Sequence, residues 1–468
     1  MSTVSRGRAG CIRRLVESLR SAADELRVAA PDIQIVLDAG DDEAVTAAIR
    51  SDADAYAKRT GRGAAVYSLD DRAALADRIL GRMEERACDR TAQAVRFALL
   101  GDRELQPAVG AARTCEQLYG TGRIVVSVDD DVVARGWAKP NRTARRPVLA
   151  DGIRDIECTF YADRDALLDA IRVDPIDIVD LARAALSAPS GSGRIDLAVF
   201  GTAGDGGIGH RHFILADQVR VSAAGEADWR DSAAVFDGRE LVRVAERPFI
   251  TRHPFYMTGA AALQYANLLP PFFPNGMPED GLFGAMVTRL YDDSLKAHVP
   301  VALYHDAPAE DHLAVTPIDR VSFSLCRVLR VLVGVYRPRV GGRPERLARF
   351  GSWLRTHCER PAAEFADWVE TVVLSSLRSY AAWLRGRYSI VDCERDAHRV
   401  PTRLDRAVVG LIGGLTDRID AGDILPISDF RGLGLPPVDQ YARMQQLFDL
   451  YARALESWSE VVEAASEP

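Results

Sequence analysis

The sequence predicts an α/β fold, a mainly parallel sheet with helices on both faces, followed by an all-helical C-terminal domain. Three observations predict it. Over the first 140 residues, short apolar runs alternate with stretches of helical periodicity, at the spacing of strand-helix units. Acidic residues follow those runs at their C-terminal ends, where open α/β sheets bind ligands. From residue 316 onward strand signals vanish and long amphipathic stretches replace them.

Residues 2–5 read as a short first strand, and 11–28 as a helix with Ile12, Leu15, Leu19 and Leu26 on one face. A second strand, 32–37, ends at Asp38; a helix over 42–58 and a third strand, 64–68, follow, the latter ending at Leu69-Asp70-Asp71. Helical periodicity returns over 71–85, 91–100 and 108–119. Residues 124–128 are mostly β-branched and apolar, a buried strand that runs into Asp129-Asp130-Asp131. Past residue 140 the pattern changes: a basic turn at 142–146, a strand at 155–161, a helix at 177–186 and a strand at 195–200. That last strand enters a glycine-rich stretch, 201–209, read as a loop with special backbone angles or a close ligand approach. Proline-rich residues 268–278 lead to Glu279 and Asp280 at the positive end of a helix, and a strand over 299–304 ends at His305. Helices over 322–336, 344–358, 361–386, 402–420 and 438–464 complete the chain.

The 468 residues suffice for two to four domains. A net charge of -8 gives no general attraction to nucleic acid. Seven cysteines without CxxC spacing favour free thiols in a reducing compartment, and residues 325–336 are too short and too interrupted by Arg327 and Arg330 to span a membrane. A cytoplasmic location follows, with a helix lying on the inner face of the membrane as the open alternative.

Three adjacent carboxylates repel one another unless a cation sits between them. A divalent metal held by Asp129 and Asp131, itself gripping a diphosphate, meets that requirement; a plain Asp-rich turn is the alternative. Arg6, Arg8, Lys58 and Arg59 are read as diphosphate contacts or as ordinary surface cations. His210 and His212 share strand-like spacing but lack a third ligand. His253 is a structural histidine or part of a cleft wall, and the six tryptophans, four of them in the helical third, are read as packing anchors ahead of sugar-stacking platforms.

The order of these signals resembles the GT-A family of nucleotide-sugar-dependent glycosyltransferases, most nearly its broad family 2 type. The resemblance covers residues 1–310. Ser2-Thr3-Val4-Ser5-Arg6-Gly7-Arg8 looks like the family's strand-to-loop opening, and Asp38 matches its base-proximal acid. Gly110-Ala111-Ala112-Arg113-Thr114 is similar to the family's glycine-to-Arg-Asn segment, with Thr114 where asparagine is usual. Val128-Asp129-Asp130-Asp131 matches the Asp-X-Asp metal signature, and Glu279-Asp280 the Glu-Asp motif. His305 resembles a histidine that completes the metal site in some members, and Gly204-Asp205-Gly206 an acceptor-side loop.

This resemblance implies a metal-dependent inverting glycosyltransferase that moves one sugar from a nucleoside diphosphate sugar, a UDP-sugar favoured, to an acceptor of unassigned chemistry. It places Ser5, Arg6, Asp38, Asp70, Arg113, Asp129 and Asp130 around the donor, and Asp129, Asp131 and His305 on Mn²⁺ or Mg²⁺. Asp280 would be the catalytic base, with Glu279 beside it. The Gln-X-X-Arg-Trp signature of processive synthases is missing, which argues for single transfer. The implied units are a glycosyltransferase domain, 1–315, with a nucleotide half (1–140) and an acceptor half (141–315), and a helical domain, 316–468, open to a second copy, a partner or a lipid interface. The competing readings are a sugar-phosphate nucleotidyltransferase, whose phosphate loop residues 4–10 do not form, and a catalytically silent interaction protein on the same scaffold.

Overall fold

The computed structural model describes residues 1–466 apart from 39–41, 84–87, 106, 139–145, 192, 207–211, 216–218, 258, 309–316, 339 and 389–400. Most of the 142–146 turn, glycines 207 and 209, His210, the side chain of His212 and Cys393 therefore lie outside the described residues.

The first half builds strand-helix units in chain order: β1 (Ser2–Ser5), α1 (Ala9–Leu26), β2 (Ile33–Leu37), α2 (Glu43–Thr60), β3 (Ala64–Tyr67), α3 (Leu69–Arg82), α4 (Asp89–Leu100), α5 (Val109–Tyr119) and β4 (Ile124–Asp129). Local chemistry sets the helix ends. Asp42 caps α2 by accepting the Ala44 and Val45 amides, and Ser68 with Asp71 closes a capping box on α3. The four strands pair in parallel in the order β4-β1-β2-β3, with Val4 opposite both Val36 and Asp129.

The second half adds β5 (Val132–Ala138), β6 (Val148–Ala150), β7 (Ile156–Phe160), α6 (Arg164–Ala170), β8 (Asp174–Pro175), α7 (Ile178–Leu186), β9 (Arg194–Asp205), α8 (His212–Leu215), β10 (Arg220–Ala223), α9 (Ala233–Phe236), β11 (Glu240–Ala245), β12 (Phe249–Thr251), β13 (Ala260–Gln264), α10 (Glu279–Leu290) and β14 (Ser294–His305). Antiparallel β13 joins β4 to β9, so the parallel core passes into a mixed sheet ordered β10-β7-β11-β9-β13-β4-β1-β2-β3. The long strand β14 runs parallel to β9 and carries β12 and β5 on its other edge.

The loop expected over 201–209 is corrected: β9 continues through it to Asp205. Its glycines serve close backbone approach. A Cβ on Gly201 would meet the Arg243 carbonyl oxygen at 2.3 Å, and Gly204, at φ +108°, would meet that of His305 at 2.4 Å. The expected strand at 299–304 is the end of β14, which begins earlier, at Ser294.

The C-terminal region is all helical, with α11 (Leu325–Val335), α12 (Arg343–Cys358), α13 (Ala362–Arg387), α14 (Arg403–Ala421) and α15 (Pro437–Ser466). It shares a core with the sheet domain. Phe448 and Tyr451 of α15 meet the Phe273 ring edge-on at 5.9 and 5.1 Å, and Trp458 donates to the Leu269 carbonyl at 2.9 Å. Helices α13 and α14 cover the far end of the sheet through Ala381, Leu384, Val408 and Leu411, packed with Cys158, Phe160 and Leu241. Trp458 is fully buried, whereas Trp383 is 41% exposed and is not a packing anchor of that kind. Among the described residues, no helix is long and apolar enough to cross a membrane, and six cysteines are free thiols.

Candidate functional site

Asp129 ends β4, a strand enclosed by β1 and β13, and Asp130-Asp131 make the turn into β5. The β14–β5 pairing sets His305 opposite Val132, so the last residue of one strand arrives beside the acids that end another. The ligand atoms of Asp129, Asp131 and His305 all lie within 4.8 Å of one another.

Each acid of this trio has one oxygen held by an arginine and one turned to the imidazole. Arg113 Nη2 donates to Asp129 Oδ1 at 2.7 Å, and Arg8 Nη2 stands 3.2 Å from Asp131 Oδ2. His305 Nε2 lies 2.9 Å from Asp131 Oδ1 and 3.8 Å from Asp129 Oδ2. Its Nδ1 is 3.0 Å from the Asp205 carbonyl oxygen, which makes Nδ1 the donor and aims Nε2 at the carboxylates. Burial opposes a charge on His305, yet Asp131 and Asp129 outweigh it and raise its pKa well above the usual value. Burial likewise opposes ionisation of Asp129, and His305 with Arg113 reverses that and lowers its pKa.

The buried Oδ1 of Asp131 and Nε2 of His305 lie 2.9 Å apart without an aligned hydrogen bond, a placement that suits two ligands of one cation. Octahedral coordination at about 2.1 Å puts neighbouring ligands about 3 Å apart. The 2.9 Å between His305 Nε2 and Asp131 Oδ1 suits that edge, and the 3.8 Å to Asp129 Oδ2 exceeds it, so the residues fit a divalent metal once the Asp129 carboxylate moves inward.

Arg113 is the hub of a buried network. It is 3% exposed and reaches Ser127 Oγ at 3.1 Å and Glu279 Oε1 at 3.4 Å, besides Asp129. Helix α5 brings it there because Gly110 packs directly on the 268–278 segment. Thr114, where the resemblance expects asparagine, is buried and bonds the Gly110 carbonyl and the Phe272 amide, a packing role. Glu279 is buried at the start of α10; burial and then neighbouring Asp280 push its pKa up to about 7, against Arg113. Asp280 is partly buried and accepts the Gly281 amide at 2.6 Å.

On the other side of the trio, Asp130 accepts from Ser5 Oγ at 2.6 Å and from Arg8 Nε at 3.2 Å. Asp38, at the end of β2, is 5% exposed with Oδ1 unpartnered; burial raises its pKa against Arg72 and Arg6. Arg6 reaches Met277 Sδ at 3.7 Å.

The structure thus gathers Ser5, Arg113, Asp129, Asp130, Asp131, Glu279 and His305 through direct contacts, with Asp280 following Glu279 and Asp38 and Arg6 lying beside them. It leaves Asp70 out. That residue is exposed in the first turn of α3, beyond the edge strand β3, which β1 and β2 separate from β4. Lys58 and Arg59 sit in the last turn of α2, at the opposite end of the sheet from the strand termini. Asp205 directs its carboxylate to Arg239, at 2.9 and 3.0 Å, and its carbonyl to His305 Nδ1. His253 lies apart, with Nδ1 accepting the Phe255 amide at 3.1 Å.

Sequence reasoning left Arg8 open between a diphosphate contact and a surface cation, and overlooked Glu116 and Arg164. Glu116, three residues after Arg113 on α5, was detectable as an i,i+3 pair. Arg164, which holds Asp306 at 2.9 Å, gave no signal. Comparison with protein-family models, with curated proteins and with solved structures gives no match.

Proposed function

We propose that this chain is a metal-dependent glycosyltransferase that moves a single sugar from a nucleoside diphosphate sugar to an acceptor hydroxyl with inversion. The observation that carries the reading is the Asp129–Asp131–His305 trio at the carboxyl end of β4, flanked by Arg113 and Arg8. An imidazole beside two carboxylates suits Mn²⁺ somewhat better than Mg²⁺. Bound there, the ion would neutralise the donor diphosphate and stabilise the charge of the leaving oxygen.

The chain's own groups supply the rest. Asp38, buried with an unpartnered oxygen, accepts an N–H of the base or a ribose hydroxyl, and a UDP-sugar is the favoured donor. Arg113 fixes Asp129 and Glu279 at once, so metal ligand and catalytic helix share one positioning residue. Asp280 takes the proton of the acceptor hydroxyl as its oxygen attacks the anomeric carbon. The bond from that carbon to the diphosphate oxygen breaks, and the nucleoside diphosphate leaves with the electron pair. Glu279 supports this end of α10 through Arg113.

Calorimetric titration with UDP-, GDP- and TDP-sugars, with and without Mn²⁺, tests the reading. One nucleotide class is expected to bind only with metal, and Asp131→Ala to abolish that dependence. Folded protein that binds none of them with Mn²⁺ present would sink the transferase reading and leave a silent scaffold.

A further inference from the structure

Around the first turns of α10 stand two arginines that no acidic side chain meets at ion-pair distance among the described residues: Arg330 beside Gly281, and Arg243 beside Phe255, whose neighbours Pro254 and Tyr256 pack on Gly284. Arg243, on β11, is 5% exposed; its Nη2 donates to Thr202 Oγ1 at 2.8 Å and its guanidinium carbon lies 5.8 Å from the Phe255 ring centre. Arg330, on α11, is solvent-exposed, and its Nη1 is 3.5 Å from where a Cβ on Gly281 would stand, next to Asp280. Arg327, one turn earlier, donates to the Ser322 carbonyl and hydroxyl at 2.8 and 3.3 Å.

The other arginines held inside this protein, unlike buried Arg243, have carboxylate or carbonyl partners. Arg113 is ringed by Asp129 and Glu279, Arg343 pairs with Asp196 at 2.7 Å, and Arg72 holds two carbonyl oxygens. A guanidinium taken out of water without an anion is costly, and two cations three residues apart on one helix repel. Burial lowers the pKa of Arg243, with Asp280 the nearby carboxylate opposing it. Asp429, the acid closest in influence to Arg327, already accepts the Leu325 amide at 2.9 Å. In a chain of net charge -8, a concentration of cations at this one place calls for a ligand.

We propose that the acceptor carries an anionic group, a phosphate or a carboxylate, which seats between Arg243 and Arg330 and so brings its hydroxyl to Asp280. The proposal rests on the transferase reading and narrows its acceptor: a neutral sugar or a lipid chain has no use for these guanidinium groups. Arg327 reinforces the field one helical turn away.

The test is calorimetric titration of inorganic phosphate and, separately, acetate into the full-length chain, with and without Mn²⁺ and UDP. Wild type, Arg330→Gln and Arg243→Gln are compared, each checked by thermal melting. The expected result is saturable binding of one anion, weakened at least tenfold in either variant, while UDP affinity stays put. The stronger of the two anions assigns the acceptor's group. Because Arg330 is exposed, its variant remains informative if the buried Arg243 change unfolds the protein. Absence of anion binding, or binding unchanged in Arg330→Gln, overturns the proposal. UDP binding separates the two readings: if UDP binds and the anions do not, the transferase reading stands without an anionic acceptor. If UDP fails while an Arg330-dependent anion site persists, the donor reading falls and the anion site is kept.

Discussion

Lys296 lies 1% exposed on β14, where its ammonium reaches the hydroxyl of Thr288. Burial lowers its pKa to about 7, with Asp196 opposing. Below that value Lys296 carries its proton in the folded and the unfolded chain alike. Between about 7 and the ordinary value of 10.5, the unfolded chain keeps a proton that the folded one has lost, so stability rises with pH there. The slope is at most about 1.4 kcal/mol per pH unit. His298 and His253, lowered by burial to about 3 and about 4, act in the same sense below pH 6.5. Lys296→Met is expected to melt higher than wild type at neutral pH and to lose the rise on the alkaline side. Thermal melts across that range decide it, and a flat wild-type curve would refute the buried-amine account. Arg113 is the contrasting case, a buried cation with carboxylates on two sides, and the same desolvation is met there by partners.

Helix α5 shows how one element positions a site. An ideal Cβ on Gly110 would lie 1.8 Å from the Phe273 carbonyl oxygen, so only glycine lets the helix seat where Arg113 reaches Asp129. Gly110→Ala is expected to cost about 1–3 kcal/mol or more in urea unfolding, because the helix must move. Gly81→Ala, near the end of α3 with nothing within 4 Å, is expected to stabilise by about 0.4–1 kcal/mol, and the opposite signs separate crowding from propensity. The sequence made α5 legible through periodicity, along with β1 to β4 and the helices after residue 316, which fall within a few residues of their expected bounds. The mixed second half was harder to read. Strands β11 and β14 are buried on both faces yet carry Arg243, Lys296 and His298, which interrupt the apolar pattern that marks a strand. The Gly201 and Gly204 signals for close approach were visible, but glycine-rich sequence reads as loop until the neighbouring strand is known. The acids of the site were legible because carboxylates cluster at a strand end. Arg8 was not, since nothing local distinguishes an arginine folded back onto Asp130 and Asp131 from a surface one.

At the scale of the whole molecule, the question is whether the helical region is an appendage or part of the framework. Helix α15 buries Phe448, Tyr451 and Trp458 against residues of the first 140 and of the 268–278 segment. Tyr451 donates to the Pro271 carbonyl at 2.7 Å and Trp458 to that of Leu269, which pins the segment ending at Pro278, immediately before Glu279. The same segment is the surface on which Gly110 packs, so α15, α5 and α10 meet through it. Each large apolar side chain withdrawn from water contributes about 1.5–3 kcal/mol, and α15 holds several, whereas a domain's net stability is about 5–15 kcal/mol. A chain ending at residue 436 is therefore expected to lose cooperative unfolding altogether, and metal-dependent nucleotide binding with it. Near-ultraviolet circular dichroism and limited proteolysis measure the first, calorimetry the second. A truncated protein that melts sharply and still binds nucleotide would instead support a separable boundary near residue 316. The helices would then meet the site only through α11, which presents Arg330 to Gly281.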